Sequence, residues 1–137
     1  MKIYVRSNNQ LDWTALNEAL TSKTSPERLT ELSKHSNDVI RTHVASNPNT
    51  PESVRKQLLK DESVAYGLKV KESVNPATSP KRLAELALDD SEDIRSNVAM
   101  NESTPVKVLK QLASDPSETV QEGLRWNPNS PTYMLRK

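Results

Sequence analysis

The chain has 137 residues, a formal net charge of +1 and no cysteine. That balance gives no global pull toward nucleic acid or an anionic membrane. The missing cysteine excludes disulfides, thiolate nucleophiles and cysteine-held zinc or iron–sulfur groups. One domain fits the length, and two glycines, nine prolines and no phenylalanine point to many short helices punctuated by proline.

The first residues, Met1-Lys2-Ile3-Tyr4-Val5-Arg6, form no apolar leader, and no stretch approaches 18 apolar residues. A soluble, cytoplasmic product is expected. Ile3 and Val5 alternate with polar neighbours, a strand signal too short to define an element. Asp12 is placed to cap a helix with Leu16, Ala19 and Leu20 inward and Trp13 over the end of a stack. Residues 1–23 thus read as an N-terminal cap, with docking of residues 1–9 on a partner or a second copy as the alternative.

From residue 24 onward the chain repeats itself at an offset of 54. About 20 of the roughly 40 positions from 24 to 63 recur, among them Ser25-Pro26 at Ser79-Pro80, Ile40-Arg41 at Ile94-Arg95, Asn47 at Asn101 and Asp61 at Asp115. Each copy holds two shorter units. The four repeats span 24–50, 51–78, 79–103 and 104–129, and 130–137 begins a fifth or forms a cap. Each opens with Ser or Thr before Pro: Ser25-Pro26, Thr50-Pro51, Ser79-Pro80 and Thr104-Pro105. A hydroxyl followed by proline is a helix N-terminus. Leu29 and Leu32, Val54 and Leu58, Leu83 and Leu86, and Val108 and Leu112 place one apolar face on each first helix.

A polar break and a second short helix follow in each repeat. The second helices carry Ile40, Val44 and Ala45, then Ile94, Val98 and Ala99, then Val120 and Leu124, a helical and not a strand spacing. They close at Asn47, Asn75, Asn101 and Asn127, where asparagine tolerates a left-handed terminal conformation. The second repeat is longer and contains Gly67, which predicts a lengthened or kinked helix.

The recurring pattern Ser/Thr-Pro-x-x-Leu-x-x-Leu…Asp…Ile-Arg-x-x-Val-Ala-x-Asn-Pro-x-Thr-Pro resembles the leucine-rich repeat variant family. It covers most of the chain from Ser25. The resemblance implies an all-α, right-handed α-solenoid of short helical repeats, α/3₁₀ or α/α pairs, with HEAT- and armadillo-like logic. Some members carry a cysteine-ligated iron–sulfur cluster, which a chain without cysteine cannot hold. No cofactor is expected.

Enzymatic signals are weak. His35 and His43 lie on different elements, two isolated glycines make no phosphate loop, and no metal-ligand spacing occurs. The acids Asp89, Asp90, Glu92 and Asp93 fit a helix N-terminus. A non-catalytic protein-binding scaffold or adaptor is the leading expectation. Nucleic-acid backbone binding through rows of Arg and Lys is the alternative, and a catalytic fragment of a HEAT-like enzyme ranks below both.

Six residues are candidates for partner binding. Arg41, Lys69 and Arg95 share one position that Gln121 takes in the fourth repeat. They form either a structural ladder with acids such as Asp38 or Glu92, or a basic ridge for phosphates or an acidic protein. Met100 and Trp126 share a second position with Ser46 and Val74, variable beside constant neighbours. Arg125 next to Trp126 has interface chemistry, while packing of Trp126 under a lid of Tyr133, Met134 and Leu135 is the alternative. An uncovered last face would suit a weak dimer.

Overall fold

The computed structural model describes residues 11–131, so the expectations for Ile3 and Val5 and for the lid of Tyr133, Met134 and Leu135 lie outside the described residues. Every described element is a helix. In chain order they are α1 (Trp13–Leu20), α2 (Pro26–Leu32), α3 (Asp38–Ser46), α4 (Glu52–Leu58), α5 (Glu62–Val74), α6 (Pro80–Leu86), α7 (Glu92–Met100), α8 (Val106–Leu112) and α9 (Glu118–Trp126). None of them is long and apolar enough to cross a membrane.

Helices of seven residues (α2, α4, α6, α8) alternate with longer ones. The first seven-residue helix of each copy starts as its sequence dictates. The hydroxyls of Ser25 and Ser79 accept the N–H groups of Arg28 and Arg82, both at 3.1 Å, and Pro26 and Pro80 open the helix. The other two depart from expectation. Pro51 and Pro105 themselves occupy the cap positions of α4 and α8, without a side-chain cap. The hydroxyls of Thr50 and Thr104 turn backward, to the carbonyls of Val44 and Val98 at 2.5 and 2.7 Å.

The longer helices are capped by Asn37, Ser91 and Ser117 on α3, α7 and α9. Each of these three has nine residues, whereas α5 has thirteen, the lengthening expected around Gly67. Gly67 has an exact steric role in that helix: a Cβ there would stand 2.8 Å from Oγ1 of Thr42. The terminal asparagines correct the sequence reading. Asn47, Asn101 and Asn127 have extended backbones (φ −77°, −72° and −88°), and no described residue has positive φ. Asparagine is therefore present for its side chain.

The described residues fall into two compact units that divide between Leu68 and Lys69, inside α5. In the first, Ala15, Leu16 and Ala19 of α1 pack with Leu29, Leu32, Ile40, Val44 and Leu58. Asp12 caps α1 as expected, accepting the Ala15 N–H at 3.1 Å. Leu20 and Trp13, however, are 56% and 66% exposed and do not face inward or cover a core. In the second unit Leu83, Leu86, Ile94, Val98, Leu109, Val120 and Leu124 form the core. Seven-residue helices are too short to persist alone. Burying a leucine contributes about 1.5–3 kcal/mol, so the shared core and not propensity holds them.

Candidate functional site

A binding surface is what remains after the fold has used its constant residues. Asn101 is nearly fully buried, at 6% exposure. Its Nδ2 donates to the carbonyls of Ser73 and Asn75 at 2.9 and 3.0 Å, and its Oδ1 accepts the Ser103 N–H at 2.9 Å. Asn127 repeats this on Ala99, Asn101 and Asn129, and Asn47 repeats it on Ala19, Thr21 and Asn49. Each asparagine thus closes the open carbonyl end of the preceding long helix, 28 and 26 residues back.

The same register draws α1 into the pattern. Thr24 donates to the Glu18 carbonyl as Thr78 does to that of Glu72, at 2.5 and 2.6 Å. Arg28 bridges Glu18 and Glu31, and Arg82 bridges Glu72 and Glu85, all between 2.9 and 3.0 Å. The repeat therefore extends N-terminal to residue 24, and Glu18 and Glu72, 54 apart, are its mark in the sequence.

The basic row is engaged by acids twenty residues downstream. Arg41 reaches Asp61 at 3.0 Å, Lys69 reaches Asp89 at 2.7 Å, and Arg95 grips both oxygens of Asp115 at 2.6 and 3.2 Å. The partners are not Asp38 or Glu92. The downstream aspartates also accept the N–H groups of Ser63, Ser91 and Ser117, which fixes them as anchors at the next helix start. Gln121, with no such aspartate among the described residues, donates instead to the carbonyls of Leu112, Ala113 and Asp115.

These contacts set the acidities. The Arg95 guanidinium, against opposing burial and with help from the Ser117 N–H, holds the Asp115 carboxyl below its usual range. At Asp61 and Asp89 burial pushes the carboxyl up. The helix N–H groups together with Arg41 at Asp61, and Lys69 with the Ser91 N–H at Asp89, outweigh it and leave a net lowering. In the first repeat His35 takes the aspartate's place. Its Nδ1 accepts the Asn37 N–H at 3.0 Å, so its Nε2 carries the proton and lies 3.2 Å from Asp12.

What remains is the position before each terminal residue. In the second unit Val74, Met100 and Trp126 are 56%, 50% and 69% exposed. They end α5, α7 and α9, which the bonds of Asn101 and Asn127 join side by side. Trp126 donates its Nε1–H to Glu122 at 3.1 Å, and Arg125 pairs with Glu122 and with Glu118 at 3.6 Å. Of the six candidates, the structure therefore groups Met100, Arg125 and Trp126 at one surface. It commits Arg41, Lys69 and Arg95 to ion pairs.

No family model, curated protein or solved structure matches this chain.

Proposed function

We propose that this chain is a non-catalytic protein-binding scaffold or adaptor. In this reading it is a cytoplasmic, right-handed α-solenoid of the leucine-rich repeat variant kind, and the second unit carries the contact row. The observation that carries the reading is the exposure of Val74, Met100 and Trp126 at one register position. Caps, core and ladder consume their neighbours, while this position is free to vary from Ser46 to Trp126. Three apolar side chains on adjacent helices, with a guanidinium and carboxylates beside the largest, have the composition of an interface hot spot and its polar rim.

The alternative of phosphate binding by the basic row is weaker. Arg41, Lys69 and Arg95 already hold carboxylates at 3.0 Å or less. A nucleic acid would have to displace those carboxylates, and the near-zero net charge supplies little attraction in exchange.

Affinity capture from the native host tests the reading. Trp126→Ala, and Met100→Ser with the residue found at position 46, are expected to lose the same captured protein. A captured set unchanged by both variants rejects the row. Binding to DNA or RNA that falls steeply with added salt would establish the alternative instead.

A further inference from the structure

The two copies differ at a pocket. In the first unit a cavity of about 400 Å³ opens between the end of α2, the first turns of α3 and the side of α4. Its apolar wall is Val54 and the buried Leu58. Its charged wall is Lys34, Lys60 and Arg41, opposed by the single carboxylate of Asp61. Arg41 and Asp61 satisfy each other at 3.0 Å. Lys34 and Lys60 are exposed and have no ion-pair partner among the described residues. The excess positive charge of the pocket is therefore uncompensated and faces solvent.

At the matching positions of the second copy the fold residues are kept and the lysines are not. Val54, Gln57, Leu58, Arg41 and Asp61 recur as Val108, Gln111, Leu112, Arg95 and Asp115. Lys34 and Lys60 become Leu88 and Ser114. The fold thus tolerates a neutral pair at these places, and the lysines of the first copy answer to something other than packing.

We propose that this pocket binds an anionic group, a phosphate or a carboxylate, carried on a small apolar body. Lys34 and Lys60 clamp the anion from the two rims. Val54 and Leu58 cover the apolar part, and the Gln57 amide is in place to orient it. The volume is that of a small-ligand site. The inference is independent of the protein-binding row, which lies in the other unit. The anion can come from a free small molecule or from an acidic side chain of a partner.

The test is a titration followed by proton–nitrogen correlation spectra. Phenyl phosphate represents the free ligand, a capped Glu-Leu dipeptide represents the partner side chain, and benzyl alcohol is the uncharged control. Saturable shifts are expected at residues 33–34 and 57–61 and not at 87–88 and 111–115, so the second copy is an internal reference. The double variant Lys34→Leu and Lys60→Ser uses residues the other copy already accommodates and should keep the wild-type melting curve. It should weaken binding about tenfold. The reverse change, Leu88→Lys with Ser114→Lys, should bring shifts to the second copy. Tighter binding by one anionic probe identifies the source. Equal shifts in both copies, equal binding of benzyl alcohol, or unchanged affinity in the double variant would overturn the proposal.

Discussion

Arg55 and Leu109 stand at matching positions of the two units, 54 residues apart. Arg55 spans the end of α3, donating to the carbonyls of Ala45 and Asn47 at 2.9 and 2.8 Å. Leu109 is fully buried in the core of the second unit. There the matching carbonyls, those of Ala99 and Asn101, are taken by Asn127. The same backbone need is met from two directions. Where an asparagine one repeat downstream closes the helix end, the side chain on the following short helix is free to be apolar. Where an arginine closes it, that core contact is given up. A duplicated sequence therefore need not have a duplicated chemistry at each position.

Exchanging the two residues breaks the comparison most sharply. Leu109→Arg forces a guanidinium into a core whose nearby carbonyls are occupied, and should cost about 4 kcal/mol in a urea melt. Arg55→Leu removes a partly exposed side chain from the carbonyls of Ala45 and Asn47, and should cost about 1–2 kcal/mol. Equal losses would show that the two positions have the same environment.

The asparagines come next. Asn127→Ala strands two carbonyls and the Asn129 N–H, and should cost about 3 kcal/mol in thermal or urea unfolding. Asn75, exposed, accepts the Ala77 N–H at 2.8 Å, and its alanine variant should lose less than about 1 kcal/mol.

The glycines give a smaller contrast. A Cβ at Gly123 would lie 2.8 Å from the backbone carbonyl of Ser96, and that carbonyl cannot turn away. Gly123→Ala should therefore cost about 1–2 kcal/mol. At Gly67 the obstacle is the buried Thr42 side chain, whose Oγ1 and Cγ2 would lie 2.8 and 3.1 Å from a Cβ and whose hydroxyl donates to the Asp38 carbonyl, and the gain in helix propensity of about 1 kcal/mol offsets part of the crowding. Gly67→Ala should cost about 1 kcal/mol or less by the same measurement.

Acid sensitivity is the finest probe. The Asp115 carboxyl is held below its ordinary range in the folded chain, first by Arg95. Its contribution to stability is complete above about pH 4, the unfolded value, and is lost as pH falls toward the folded one. Asp115→Asn should lower stability at neutral pH and flatten its decline on acidification, read from urea midpoints across that range. An unchanged acid slope would place the sensitivity elsewhere, Asp61 and Asp89 being the next carboxyls with the same direction of shift.

Local features were legible in the sequence and distant ones were not. The positions of Leu29, Leu83, Ile40 and Ile94 announced their helices, because a helical period is written within a few residues. Asn47 and Asn101 stood out as constant, but their purpose did not, since their carbonyl partners lie 26 and 28 residues upstream. Locally, asparagine at a helix end implies a left-handed backbone, which neither residue adopts. The basic row was visible as a row. Its acids were visible too, as Asp61 and Asp115, but only the fold joins residues twenty apart. Lys34 and Lys60 stand in polar breaks 26 residues apart, and nothing local in the sequence marks them as a pair.

The asparagine bond also sets an order of events. The asparagine bonds join residues 26 and 28 apart, so these closures are short-range in the chain. Such contacts form quickly, with little loop entropy to overcome. They also point one way: the ends of α1, α5 and α7 are closed by residues 26 and 28 positions later. On a ribosome those three ends would stay open until Asn47, Asn101 and Asn127 had emerged, whereas the end of α3, closed by Arg55 only 8 and 10 residues on, would not wait.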